Sequence, residues 1–170
     1  MHVAFTTLTR KAFLILASLA FFTPYVPAQR MMKTINDGWD FRKDGEAQWR
    51  SVNLPHTFNL DAYSQRNYYQ GKDEYRKKLS LAEIDPAKRY YLKIDAASKA
   101  ANVKVNGQVA GNHAGGYSAF ILDVTGLIRK ENEIEIIVDN ARRDITPLWA
   151  DFTFWGGIYR DVWLISTPEQ

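Results

Sequence analysis

Hydrophobic and polar residues alternate in short stretches along most of this chain. In the stretch EIEIIV at 133–138, Ile134, Ile136 and Val138 point one way and the glutamates between them point the other, which is typical of a half-buried strand. No stretch after residue 28 shows a sustained helical period. Further strands are predicted by alternation or short apolar runs at 39–41, 49–54, 74–81, 89–97, 101–110, 117–124 and 158–166.

Turn residues separate these stretches. The clearest turn is Asn106-Gly107, which follows Val103 and Val105 and precedes Val109. Asn-Gly favours the type I′ turn of a two-residue hairpin, because both central residues of that turn need a positive φ. About eight short strands with turn chemistry between them predict an all-β protein, a β-sandwich or jelly roll of antiparallel strands.

The last part of the chain departs from simple alternation. Residues 158–164 alternate and predict the closing strand, but residues 151–157 combine an acid, three aromatic side chains and the pair Gly156-Gly157. Asp151 stands just before the aromatic run, where the chain enters a sheet from a loop. We therefore expect Asp151 to face a ligand. Two long polar or irregular loops, 59–72 and 141–150, are further candidates for function.

The first 28 residues are typical of a secretory signal peptide. Arg10 and Lys11 precede the uncharged run AFLILASLAFF at 12–22, and Ala28 ends a small-residue cleavage site. The run is shorter than the ~20 residues that span a bilayer. We expect cleavage near Ala28, export to the periplasm or the cell exterior, no membrane attachment afterwards, and one domain over 29–170.

Composition excludes several function classes. Residues 29–170 hold twenty lysines and arginines against nineteen acids, so the net charge is +1 and no basic stripe predicts nucleic-acid binding. The chain has no cysteine, which removes disulfides, thiol catalysis and thiolate metal sites. Its three scattered histidines predict no metal site, and no motif predicts a cofactor.

Several stretches together resemble one family. They read INDGWDF at 35–41, VNLPHTFN at 52–59, EYRKKL at 74–79, VKVNGQVAGNHAGGYSAFILDVT at 103–125, NEIEIIVDN at 132–140 and DFTFWGGIYRDVWLI at 151–165. Their order is similar to that in the N-terminal sugar-binding domain of glycoside hydrolase family 2, in its bacterial β-galactosidase-like branch. The resemblance covers essentially all of residues 29–170.

That resemblance implies a galactose-binding-like jelly-roll β-sandwich of about eight antiparallel strands. In the family this domain precedes an immunoglobulin-like domain and a (β/α)₈ barrel, which carries both catalytic glutamates. A barrel needs ~250 residues of its own. We therefore expect this chain to be a sugar-binding accessory domain of an exported β-galactosidase- or β-glucuronidase-like hydrolase, a fragment that carries no catalytic residue, lacks the barrel and is not an enzyme alone.

The resemblance also implies site residues. Asp151 matches a loop carboxylate that contacts the sugar, and Asn67 is a looser match for a second polar contact. The alternative for Asp151 is an ion pair with Arg142 or Arg143. Trp155, with Trp149, is the better candidate for an apolar platform, whereas alternation places Trp39 and Trp163 in the core or on a sheet surface.

Three functions remain open on the sequence. The first is the accessory domain, whose ligand would be a β-galactoside-type carbohydrate. The second is a free-standing carbohydrate-binding module, since aromatic faces stack on sugars. The third is a purely structural sandwich, which predicts an exposed apolar patch around Trp149 and Trp155 where a partner domain docks.

Overall fold

The structure, a computed structural model, describes residues 29–64, 67–145 and 152–169. Ten strands and one short 3₁₀ helix, Leu60–Tyr63, lie in these ranges. The strands are β1 (Met31–Thr34), β2 (Trp39–Arg42), β3 (Arg50–Val52), β4 (Lys72–Ser80), β5 (Lys88–Ile94), β6 (Ala100–Val105), β7 (Gln108–Ala114), β8 (Phe120–Asp123), β9 (Glu131–Asp139) and β10 (Val162–Pro168).

The strands form two antiparallel sheets. One sheet has four strands in the order β1-β10-β5-β8, and the other has six in the order β3-β2-β4-β9-β6-β7. Most neighbours in a sheet are distant in sequence, as the Greek-key connections of a jelly roll require. The predicted fold class, an all-β sandwich of jelly-roll type, is confirmed.

One hydrophobic core lies between the two sheets. In β9 the alternate residues Ile134, Ile136 and Val138 are buried, as the sequence pattern predicted. The four-stranded sheet contributes Leu92 and Leu164 to the same core. Burial of both inner faces removes this apolar surface from water, which is the main driving force for the fold.

The predicted Asn-Gly hairpin joins β6 to β7. Asn106 has φ 53° and Gly107 has φ 77°, the two positive values that a type I′ turn requires. Asn106 also stabilises its neighbours, because its side-chain amide donates to the Leu127 carbonyl (2.8 Å) and its side-chain oxygen accepts from the Glu133 amide (2.9 Å). The predicted turn is confirmed.

The strands differ from the sequence prediction in three places. The closing strand begins at Val162 rather than at 158, because backbone groups of Ile158 and Asp161 bond to the loops at His56 (2.8 Å) and Asp95 (2.9 Å). The glycine-rich stretch 111–116, for which no strand was predicted, belongs to β7 as far as Ala114. Met31–Thr34, exposed along its whole length, forms an edge strand that no alternation predicted, so ten strands replace about eight.

The described part of the chain contains no helix of the length and apolar character that crossing a bilayer would require. The predicted signal peptide, 1–28, lies outside the described residues, and its cleavage and the domain boundary at 29 stay predictions.

Candidate functional site

Two loops that are about a hundred residues apart in sequence lie side by side in the structure. Residues 54–59 run beside residues 154–158, and backbone hydrogen bonds join the His56 amide to the Ile158 carbonyl (2.8 Å) and the Phe58 amide to the Gly156 carbonyl (3.1 Å). We call this paired segment the loop seam. It fixes residues from two distant parts of the chain relative to each other.

The Gly156-Gly157 pair permits this close approach. A Cβ atom on Gly156 would lie 2.6 Å from Phe58 Cε2 and 2.6 Å from Asn140 Nδ2. A Cβ atom on Gly157 would lie 2.6 Å from the His56 carbonyl oxygen, and Gly157 has φ 119°, which side chains disfavour. No other residue fits either position without moving the loop seam.

Asn59 connects the two sides of the loop seam from within. Its side chain is completely buried, and its amide group donates to the Phe154 carbonyl (2.9 Å). Its side-chain oxygen accepts from the Gly156 amide (2.5 Å) and from the Thr57 hydroxyl (3.0 Å). A buried amide needs such partners, because an unsatisfied polar group in the interior costs free energy. Sequence reasoning missed Asn59, since its partners are distant in sequence.

An open cavity of about 370 Å³ lies against the loop seam. It is lined by Pro55, His56, Thr57, Leu60, Trp155 and Tyr159. This lining combines two large aromatic side chains with a few hydroxyl and imidazole groups. Such a mixture suits a ligand that has both apolar faces and hydrogen-bonding groups.

His56 gives the cavity a neutral polar group. Burial, together with the positive charges of Arg50 and Lys43, lowers its pKa from 6.5 to about 4. One ring nitrogen, Nδ1, shares a hydrogen bond of 2.8 Å with the Tyr75 hydroxyl, and the ring packs on Phe41 with centroids 4.7 Å apart. At neutral pH His56 therefore offers hydrogen bonds without a charge. Sequence analysis did not select this residue.

The predicted site residues have different positions. Trp155 is half-buried and lines the cavity, in the part of the molecule where a platform was expected. Asn67 is exposed and is not among the residues that line the cavity. Asp151 and Trp149 lie outside the described residues. The roles of these residues in sugar binding stay predictions.

The other tryptophans in the described residues are buried or contact polar and charged groups of the protein itself. Trp39 is fully buried, and the Trp163 indole donates to Asp95 Oδ2 (2.8 Å). Trp49 borders a second cavity of about 390 Å³, but the guanidinium groups of Arg42 and Arg76 lie 4.5 Å and 4.6 Å from its ring centre. Of the four tryptophans in the described residues, Trp155 alone lines the cavity at the loop seam.

Charged groups in the described part of the chain do not form a metal site. No group of three histidine, aspartate or glutamate side chains there is arranged to hold a metal ion. The buried carboxylate of Asp73 is used internally, since its Oδ1 accepts from the Tyr69 hydroxyl (2.7 Å) and the Asp44 amide (3.0 Å). Burial raises the pKa of Asp73, which these donors oppose.

Comparison with known proteins agrees with this architecture. A β-glucuronidase of Bacteroides fragilis is 38% identical over 158 residues, which cover 89% of this chain and 23% of that protein. A β-galactosidase of Thermoanaerobacter pseudethanolicus is 34% identical, over 82% of this chain and 19% of its own length. The crystal structure of a Bacteroides uniformis β-glucuronidase superposes with a TM-score of 0.76 at 44% identity, over 82% of this chain and 18% of that one.

The chain thus spans about a fifth of the length of these relatives. The family model for "Glycosyl hydrolases family 2, sugar binding domain" matches residues 28–168. The match includes both sheets, the loop seam and the cavity. This chain therefore belongs to glycosyl hydrolase family 2, and the part of the family that it represents is the sugar-binding domain.

Proposed function

We propose that this chain serves as the sugar-binding domain of an exported β-galactosidase- or β-glucuronidase-like hydrolase and has no hydrolase activity of its own. The observation that carries the proposal is the cavity at the loop seam, where Trp155 and Tyr159 stand beside His56 and Thr57. A sugar ring has apolar C–H faces and hydroxyl groups around its edge, so aromatic rings beside neutral hydrogen-bonding groups match its surface.

The proposed site is shared with domains outside this chain. Support comes from the greater length of the relatives and from two exposed apolar side chains. Leu60 lines the cavity and is 70% exposed, and Phe152, three residues before Trp155, is 60% exposed. Surfaces of this kind mark docking regions. We propose that an immunoglobulin-like domain and a (β/α)₈ barrel complete the protein, and that Asp151 and Asn67 contact the sugar beside the barrel.

The proposal predicts that the purified chain hydrolyses neither nitrophenyl β-galactoside nor nitrophenyl β-glucuronide. Release of nitrophenol is measured against buffer and against Asp151→Asn, which removes one carboxylate without changing its size. Retaining hydrolysis needs two carboxyl groups about 5–5.5 Å apart. Turnover by the wild-type chain that Asp151→Asn abolishes would overturn the proposal, because the chain would then be catalytic by itself.

A free-standing carbohydrate-binding module is the second candidate, because the cavity is open to solvent when the chain stands by itself. It predicts saturable heat in calorimetry with millimolar methyl β-galactoside or methyl β-glucuronide. Trp155→Ala should then abolish the signal, whereas Trp49→Ala, at the second cavity, should keep it. If the wild-type chain gives no heat with either sugar, the result argues against a free-standing module. The first proposal, a site shared with other domains, then remains.

A further inference from the structure

Lys99 is a buried lysine that does not line the cavity. Lys99 is 1% exposed and lies in the connection between β5 and β6. Its backbone is held on both sides, since its amide donates to the Asp139 carbonyl (3.0 Å) and its carbonyl accepts from the Gly115 amide (2.9 Å). Lysine is almost never fully buried unless its ammonium group has partners.

The ammonium group of Lys99 reaches two segments that come before and after residues 146–151. Its Nζ lies 3.4 Å from the Arg142 carbonyl oxygen and 5.2 Å from the centre of the Phe154 ring. The first contact is a hydrogen bond from a charged donor, and the second is a cation–π contact, which is stronger away from water. One buried charge therefore contacts both the segment 141–145 and the segment 152–155.

Phe154 transmits this restraint to the cavity. Its ring faces Lys99, its carbonyl accepts from Asn59 in the loop seam (2.9 Å), and the next residue is Trp155. Phe154 is 5% exposed, so its ring cannot rotate out into solvent without losing packing. Phe154 is therefore held by Lys99 at its ring and by Asn59 at its carbonyl. These two contacts also fix the backbone where Trp155 begins.

We propose that Lys99 is a positioning residue: its ammonium group holds the Arg142 and Phe154 segments together and thereby keeps Trp155 in place at the cavity. The inference rests on the proposed sugar-binding function, which it deepens. Asp139 is a charged neighbour of Lys99, and its carboxylate opposes the lowering of the Lys99 pKa by burial. A hydrophobic side chain of the same length fills the space but supplies neither contact.

The test compares Lys99→Met with Lys99→Arg in the full chain. Amide hydrogen exchange by NMR is read at Ala141, which donates to Asp139 Oδ1 (2.9 Å), and at Gly156, which donates to Asn59 Oδ1 (2.5 Å). Lys99→Met should accelerate exchange at both amides by about tenfold, whereas β9 amides such as Ile136 should be unaffected. Lys99→Arg keeps the charge and should restore most of the protection.

Sugar affinity is measured on the same samples with methyl β-galactoside and methyl β-glucuronide. If the wild-type chain binds, Lys99→Met should weaken binding and Lys99→Arg should recover it. If the wild-type chain does not bind, selective acceleration at Ala141 and Gly156 still supports the positioning role, and only sugar binding by the isolated chain fails. Unchanged exchange at both amides in a folded Lys99→Met protein overturns the inference.

A second variant keeps the test decisive if Lys99→Met does not fold. Phe154→Leu removes the aromatic ring and keeps an apolar side chain, so it should accelerate exchange at Gly156 and leave the hydrogen bond from Lys99 to the Arg142 carbonyl intact. Exchange at Ala141 should then stay slow. Equal behaviour of Gly156 in Phe154→Leu and wild type contradicts the proposed link between Lys99 and Trp155.

Discussion

The residues that shape the candidate site act mainly through polar groups that are buried and neutral. Asn59 satisfies three hydrogen bonds inside the loop seam, and His56 shares one with Tyr75 at the edge of the cavity. Neither side chain carries a charge at neutral pH, because Asn59 cannot ionise and burial lowers the pKa of His56 to about 4. The described cavity lining is thus suited to hydroxyl groups.

The titration of His56 predicts a loss of stability in mild acid. Above pH 6.5 the imidazole is neutral in the folded and the unfolded chain, so it contributes no pH dependence. Between pH 6.5 and about 4 the unfolded chain binds a proton that the folded chain does not, and the free energy of unfolding falls. Below about pH 4 this contribution is constant.

Urea unfolding at pH 7.0, 5.5 and 4.5 measures this effect. The wild-type chain should lose more stability over this range than His56→Gln, which keeps a hydrogen-bonding amide but does not titrate. The carboxylates titrate in both proteins, so the difference between the two pH profiles removes their contribution to the free energy of unfolding. Parallel pH profiles for the two proteins would show that His56 is not the group responsible.

The strands were predicted more accurately than the loops between them. Alternation predicted β9, and Asn106-Gly107 predicted the β6–β7 turn, because both signals are local in sequence. The start of β10 was predicted four residues too early, since hydrogen bonds from His56 and Asp95 decide it. Asn59 and the loop seam depend on the same kind of distant partner. For the site, the sequence placed Trp155 in a candidate region and did not indicate His56 or Asn59.

The hairpin between β6 and β7 should be sensitive to its turn glycine. Gly107 has φ 77° and open space around its Cβ position, so Gly107→Ala introduces backbone strain without a clash. We expect a loss of about 1 kcal/mol in the free energy of unfolding.

Gly126→Ala is the matched control, because Gly126 also has open space but lacks a positive φ. It should be neutral, or stabilising by about 0.4–1 kcal/mol through the unfolded state. Chemical denaturation of the two variants gives the difference directly. Equal stabilities would mean that the turn tolerates a side chain at position 107.

The two sheets share one core, which makes the molecule a single cooperative unit. Leu92, Val162 and Leu164 of the four-stranded sheet belong to the same buried cluster as Trp39, Tyr75 and Ile136 of the six-stranded sheet. The chain has no cysteine, so no disulfide joins the two sheets. A domain of this size with one core unfolds in one transition.

A cavity in this shared core should destabilise the whole molecule. Leu164→Ala, at a side chain 1% exposed, should cost about 2–5 kcal/mol, and far-UV dichroism and tryptophan fluorescence should report the same lowered midpoint. Ile121→Ala is the control, because Ile121 is 56% exposed and its truncation should cost about 0.5 kcal/mol or less. Separate midpoints for the two probes would show that the sheets unfold independently.

The loop seam has a consequence for the order of folding. Its bonds join residues about a hundred positions apart, such as the Gly156 amide and Asn59, which are 97 apart, so closing it requires a large loss of chain entropy. The β6–β7 hairpin needs only a two-residue turn. Contacts of low sequence separation form early and those of high separation form late. The proposed sugar site is therefore assembled only after most of the chain has been made and folded, which ties the appearance of binding to completion of the domain.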